Sequence, residues 1–206
     1  MIRNIIFDFG AVLVDWDPHH LYIPYFGDAA YAEWFLTEIC PYEWNTEADG
    51  GRLLSEITEE RIAQFPKFEK EIRMYYDRWI EMMGGQIPGM EELIRDLKAR
   101  GYGVYGLTNG SRETFPLVRD RYPVFGLLDG YVVSGEEMVK KPDLALYRIL
   151  LERYGLRGEE CVFIDDNPRN AFGGESLGIR GLVLHDAEQV RKELDSILGD
   201  SGSSPE

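Results

Sequence analysis

Five short apolar runs govern what this chain can fold into. They occupy residues 4–7, 103–107, 130–133, 161–164 and 181–184, and each gives way to small or polar residues. Short runs without strict alternation suit strands buried on both faces, as in a parallel sheet covered by helices on each side. Helical spacing takes over between them. Residues 89–100 place Met90, Leu93, Ile94 and Leu97 on one face, with Pro88 near the start and Gly101 at the end. Residues 143–154 and 168–177 repeat the pattern, and 188–198 supply a last amphipathic helix. Strands alternating with helices predict an α/β fold: a doubly wound, Rossmann-like parallel sheet.

Residues 14–85 break the rhythm. They hold no convincing strand, are rich in Trp, Tyr and Phe, and read as helical over 59–65 and 68–82. So long a stretch exceeds an ordinary strand-to-helix connection. The expected organisation is an α/β core of residues 1–13 and 86–198, with residues 14–85 inserted after the first strand as a small helical cap. Gly84-Gly85 and the turn before Pro88 would form its return hinge. Residues 199–206, polar and Gly/Ser-rich, read as a disordered tail. Trp16, Trp34, Trp44 and Trp79 are expected to build the cap's own core and its contact with the sheet, whereas an exposed aromatic patch would mark a partner surface.

A length of 206 residues suits one core with a modest insertion. The 37 acidic residues outnumber 22 basic ones, for a formal charge of −15. That balance argues against a nucleic-acid partner, since nothing offsets repulsion from a phosphate backbone. An anionic substrate must then be captured by local groups. Cys40 and Cys161 are too few and too far apart for a disulfide framework, so a reducing cytoplasmic location is expected. No apolar run is long enough to span a membrane, and Ile5-Ile6-Phe7 leads straight into Asp8 with no signal-peptide pattern. The expected assembly is a monomer or a weak homodimer.

Ligands of open parallel sheets bind beyond the carboxyl ends of the strands. Asp8-Phe9-Gly10 follows the first run, and Thr108-Asn109-Gly110-Ser111 the second. Lys141-Pro142 comes shortly after the third, and Asp165-Asp166-Asn167 follows the fourth. Taken singly, these residues read as helix caps, turns and a solvated lysine pair, Lys140 and Lys141. Together they bring carboxylates, a hydroxyl, backbone donors and an ammonium to one rim, the parts needed to hold a phosphoryl group and a hard divalent cation. Asp165 and Asp166 are the hardest to read as structural, because adjacent carboxylates beside a buried strand repel unless a cation compensates.

Phe7-Asp8-Phe9-Gly10-Ala11-Val12-Leu13, Leu107-Thr108-Asn109-Gly110, Lys140-Lys141-Pro142-Asp143 and Ile164-Asp165-Asp166-Asn167 resemble, in order, the four motifs of the haloacid dehalogenase superfamily. The placement of the cap resembles the group whose small helical cap lies between the first two motifs. The resemblance implies a phosphatase acting on a small phosphorylated substrate. Asp8 would be the nucleophile, and Mg2+ would sit on Asp8, the Gly10 carbonyl, Asp166 and, directly or through water, Asp165. Thr108 and the Asn109 amide would bind the phosphoryl oxygens, and Lys141 would neutralise charge.

One position departs from the pattern. Many phosphatases of the superfamily carry an acid/base Asp two places after the nucleophile, where this chain has Gly10. Asp15, Asp17, His19 and His20 are the nearest possible substitutes, each also readable as a turn or helix-start residue. The segment Asp8 to Asp15 resembles a branch with Gly at that position that includes sugar 1-phosphate phosphatases, whose leaving oxygen needs less acid help. Two other outcomes stay open: a metal-independent 2-haloacid dehalogenase, against which Asp165-Asp166 argues, and a catalytically weakened binding protein. Tyr22, Trp44 and Asn45 are the cap side chains suggested for contact with the leaving group.

Overall fold

The computed structural model describes residues 1–199, so residues 200–206, most of the tail expected to be disordered, lie outside the described residues. Seven strands form: β1 (Asn4–Phe7), β2 (Val14–Trp16), β3 (Met83–Gln86), β4 (Gly103–Thr108), β5 (Gly130–Val133), β6 (Cys161–Asp165) and β7 (Arg180–Val183). Five of them make a parallel sheet in the order β5-β4-β1-β6-β7. β1 is central, and the chain first builds outward through β4 and β5, then crosses to β6 and β7 on the other side. The order therefore reverses beside β1, where a crevice opens at the carboxyl edge.

The lack of alternation in the apolar runs has a direct cause. Ile5, Ile6 and Phe7 are all fully buried, because both faces of β1 are covered. Ile5 and Phe7 pack with Leu93, Leu97, Val190 and Leu194, from helices Met90–Ala99 and Ala187–Leu198. Ile6 points the other way, into a second cluster with Leu146, Tyr147 and Leu150 of helix Leu144–Tyr154. That helix starts where the Asp143 carboxylate accepts the Ala145 amide and stops at left-handed Gly155. The segment 168–177, expected as one helix, is split into Pro168–Ala171 and a 3-10 turn, Glu175–Leu177. Gly173 lies in the break, where a Cβ would stand 2.5 Å from the Tyr147 hydroxyl. Close packing against Tyr147 thus overrides helical spacing.

Between β2 and β3 the chain is helical, with helices at His19–Phe26, Ala29–Trp34, Tyr42–Asp49, Leu54–Gln64 and Glu69–Asp77. The helix expected over 68–82 ends at Asp77 and resumes as a 3-10 turn, Trp79–Met82. The expectation of no strand in 14–85 fails at both ends. β2 and β3 pair as an antiparallel ribbon, Val14 opposite Gln86 and Asp15 opposite Gly85, so departing and returning chain run side by side. Strands of three and four residues, one holding two glycines, leave no alternation to read. Gly84 serves contact here, since a Cβ would fall 2.0 Å from the Asp15 carboxylate.

Aromatic residues fill the interior of the helical insertion. Tyr22, Phe35 and Tyr75 are fully buried, and Trp44 and Trp79 nearly so, whereas Trp34 is 41% exposed. Cys40 and Cys161 are buried and free. Among the described residues, no helix is long and apolar enough to cross a membrane.

Gly106 of β4 sets the position of the chain next to Asp8. A Cβ there would lie 2.3 Å from the Phe9 ring, which is held by Phe115 at 5.3 Å and Phe125 at 4.8 Å between centroids. The ring cannot retreat without moving that cluster. Gly106→Ala is expected to destabilise the fold by about 1–3 kcal/mol, as other overpacked cores are. Urea unfolding should show a lower midpoint with an unchanged slope.

Candidate active site

The ladder between β1 and β6 continues one residue past Phe7, where the Asp8 amide donates to the Ile164 carbonyl at 2.9 Å. Asp8 and Asp165 are therefore brought abreast at the ends of adjacent strands. Beyond Asp8 the chain turns tightly around the Phe9 carbonyl, which accepts the amides of Leu13 at 2.8 Å and Val14 at 3.0 Å. Ala11 takes a left-handed φ of 56° in this turn, a conformation that costs an L-residue on the order of 1 kcal/mol. Gly10 lies at its start, and a Cβ there would meet nothing within 4 Å.

Lys141 links the carboxylates. Its ammonium lies 2.8 Å from Asp8 Oδ1 and 2.6 Å from Asp165 Oδ2, and it donates to the Leu107 carbonyl at 3.0 Å. Asn109 fixes the lysine's backbone, as its Oδ1 accepts the Lys141 amide at 2.8 Å and its Nδ2 donates to the Lys141 carbonyl at 3.1 Å. Lys140 faces elsewhere and donates to the Thr46 carbonyl of the insertion at 2.8 Å. Asp165 is fully buried and also accepts the Asn167 amide at 2.8 Å. Thr108 is buried at the end of β4.

Burial raises the Asp8 carboxyl to about 7 against the pull of Lys141, and the Asp165 charge adds to the rise. Burial also raises Asp166, again helped by Asp165. Burial works to lower the Lys141 ammonium, but Asp8 and Asp165 overcome it and hold the group above the usual lysine value. Asp8, Asp165 and Asp166 can each turn one carboxylate oxygen to a common point, all within 4.8 Å of one another. Although Asp8 Oδ1 touches Lys141, it has no hydrogen bond of good geometry among the described residues. A buried oxygen short of donors, beside two further carboxylates, fits a hard divalent cation.

A cavity of about 450 Å³ opens over this cluster. The sheet contributes Asp8, Gly10, Thr108, Asn109 and Asp166 to its wall, and the insertion contributes Tyr42, Asn45, Asp49 and Trp79. The residues suggested in place of an acid at position 10 are not in that wall. Asp15 pairs with His20 at 2.8 Å, and His19 lies between Asp17 at 2.6 Å and Glu33 at 2.7 Å. Asp15 and His20 are thus paired with each other, and His19 with Asp17 and Glu33. Of the three suggested cap residues, only Asn45 reaches the cavity wall. The Tyr22 hydroxyl donates to the Glu71 carbonyl inside the insertion, and the Trp44 indole donates to the Ile57 carbonyl.

Sequence reasoning missed Asp49. At the end of a helix and followed by two glycines, it reads as an ordinary terminal residue. The one available signal was its sign: a carboxylate is unfavourable at a helix carboxyl terminus. Burial raises it to about 7, with Lys140 and Lys141 pulling the other way.

Comparison with known proteins places the chain. A family model described as haloacid dehalogenase-like hydrolase matches residues 2–178, and the chain belongs to that family. It is 33% identical over 110 residues to the sesquiterpene phosphatase astK of Aspergillus oryzae, covering 53% of this chain and 56% of that protein. It is 27% identical over 203 residues to the drimenol cyclase drtB of Aspergillus calidoustus, covering 97% of this chain but 37% of that protein. The chain thus spans about a third to a half of the length of these curated relatives. Among solved structures, a HAD family enzyme of Bacteroides thetaiotaomicron, in complex with magnesium and inorganic phosphate, superposes with a TM-score of 0.71 at 19% identity. That match covers 90% of this chain and 95% of the other, and it is a likeness of fold.

The raised Asp49 value has a consequence for stability. The unfolded chain ionises near an ordinary aspartate value of about 3.9, while the folded value is about 7. Folding therefore favours the protonated form. This contribution is full below about pH 4 and is lost as pH rises through 7. Asp49→Asn stays neutral throughout. Its stability relative to the unsubstituted protein should rise across that window and level off above it, as read from urea unfolding at a series of pH values.

Proposed function

We propose that this protein is a magnesium-dependent phosphatase that hydrolyses a small phosphorylated metabolite through an aspartyl phosphate on Asp8. The observation that carries this reading is the buried Lys141 ammonium held between Asp8 and Asp165, with Asp166 in the wall of the same cavity. Asp8 would attack phosphorus and the alcohol would leave. Water would then release phosphate, splitting one difficult hydrolysis into two displacements. Lys141 would neutralise charge on nucleophile and phosphoryl group, and the Thr108 hydroxyl and Asn109 amide would bind phosphoryl oxygens. Asp8, the Gly10 carbonyl, Asp166 and, directly or through water, Asp165 would hold Mg2+, which when bound offsets the repulsion between carboxylate and phosphate. Residues 14–85 would act as a cap on the core of residues 1–13 and 86–198, keeping water out and limiting the substrate to small molecules. The two free cysteines suit a reducing cytoplasm, and a monomer or weak homodimer is the assembly proposed.

A sugar phosphate, such as a sugar 1-phosphate, suits the site on two counts. Its anomeric oxygen leaves readily where position 10 offers no acid. Trp16 and Trp79, both in the cavity wall, have buried indole N–H groups without partners among the described residues. An isoprenoid phosphate is a second reading, favoured by the apolar wall of Phe9, Val14, Phe115 and Val118 and by the sesquiterpene phosphatase relative. A 2-haloacid dehalogenase is disfavoured, because that reaction on carbon has no use for three converging carboxylates.

Purified protein should release phosphate from p-nitrophenyl phosphate when Mg2+ is present, and a chelator should stop it. Asp8→Asn should lower turnover at least about a thousandfold, as loss of a covalent nucleophile does elsewhere. Comparing glucose 1-phosphate with farnesyl phosphate separates the two substrate readings. Chelator-insensitive chloride release from a 2-haloacid would replace the phosphatase reading, and no turnover on any of these would leave a binding protein.

A further inference from the structure

Gly10 leaves the proposed phosphatase without a carboxyl side chain beside its nucleophile, and the insertion supplies one to the lining of the same cavity. Asp49 ends helix Tyr42–Asp49 and is 6% exposed, yet it lines the same cavity as Asp8 and Thr108. Its backbone is anchored to the core, because Ser134 Oγ donates to the Asp49 carbonyl at 2.6 Å. One turn earlier Lys140 holds the Thr46 carbonyl at 2.8 Å. Among the described residues no hydrogen bond reaches the Asp49 carboxylate, which lies in the cavity lining.

As a structural residue Asp49 is badly chosen. It places a carboxylate at the negative end of a helix dipole and largely buries the residue, with no hydrogen bond to the carboxylate among the described residues. Asn would fill the same volume with no charge to desolvate. Local choices that contradict stability are expected where a site needs them. The charged and titratable groups near enough to influence it electrostatically are Lys140 and Lys141 from the core, Tyr42 on its own helix, and Tyr75 and Tyr76 from helix Glu69–Asp77. The lysines favour the carboxylate while burial favours the acid, and the balance near 7 leaves both forms accessible. The three tyrosines are all held above their ordinary value, chiefly by burial, and so do not compete for this role.

We propose that Asp49 is the general acid and base of the reaction, taking the place of the carboxyl absent at position 10; this rests on the phosphatase reading of the site. In the first displacement the Asp8 oxygen bonds to phosphorus as the phosphorus–oxygen bond to the alcohol breaks. Asp49 gives its proton to the departing oxygen and becomes a carboxylate. In the second, water bonds to phosphorus, its proton passes to Asp49, and the bond from phosphorus to Asp8 breaks. Phosphate leaves, and both aspartates return to their starting state.

The test compares Asp49→Asn with the unsubstituted protein on p-nitrophenyl phosphate and phenyl phosphate in Mg2+, by rapid mixing. Nitrophenolate needs no proton to leave, whereas phenolate does. The variant should therefore give a burst of about one nitrophenol per active site, then slow turnover with phosphate trapped on Asp8. Phosphorylation from phenyl phosphate should fall by about 10²–10⁴-fold relative to that burst. Both rates are taken on one preparation and normalised to trapped phosphoenzyme, so a partly folded fraction cancels. A variant that loses the two substrates equally, or loses neither, overturns the assignment to Asp49 while leaving the phosphatase reading intact. If the unsubstituted protein releases no phosphate from either compound, the phosphatase reading itself falls and the role of Asp49 falls with it.

Discussion

The site depends on one buried ammonium. The Lys141 side chain is wholly removed from solvent, as is that of Asp165, and Asp8 is nearly so. Taking such charges out of water costs several kcal/mol per ion unless they are closely paired. The pairing needs three segments distant in sequence to meet within hydrogen-bond reach: the end of β1, the end of β6 and the loop after β5. The parallel register of β1 with β6 delivers the two carboxylates, and the reciprocal Asn109 bonds deliver the lysine. Sheet order, loop and charge cluster are thus parts of one constraint.

That constraint is incomplete by itself. Three carboxylates converge where one ammonium is present. Burial resists ionisation of Asp8, although it would have to be ionised to serve as the proposed nucleophile. A divalent cation at the convergence point, as proposed, would relieve both difficulties. The overall charge of −15 sharpens the point, since the long-range field would repel the proposed phosphate ester. Capture of such a substrate would therefore depend on short-range groups inside a walled cavity.

Much of the sheet was legible because its strands are short apolar runs, buried on both faces along most of β1 and β6, a pattern set by local residues. The positions following those strands were legible for the same reason, since register carries whatever comes next to the same edge. The ribbon of β2 and β3 was not, because it is too short and too glycine-rich to alternate. The division of 168–177 was hidden because it depends on Tyr147, more than twenty residues away in the chain. The same limit applies to Asp49. What makes it notable is burial and an unpartnered carboxylate, and both follow from how one helix is docked by Ser134 and Lys140. Asp15, Asp17, His19 and His20 are close to Asp8 along the chain, but none of them lines the cavity over it.

The open surroundings of Gly10 separate two kinds of selection. Its backbone does not take a left-handed φ, and a Cβ there would meet nothing within 4 Å. Neither backbone conformation nor contact at Cβ requires glycine at this position. A carboxyl beside the proposed nucleophile is therefore a single substitution away, and introducing one would give the proposed proton transfer a second candidate carrier in addition to Asp49.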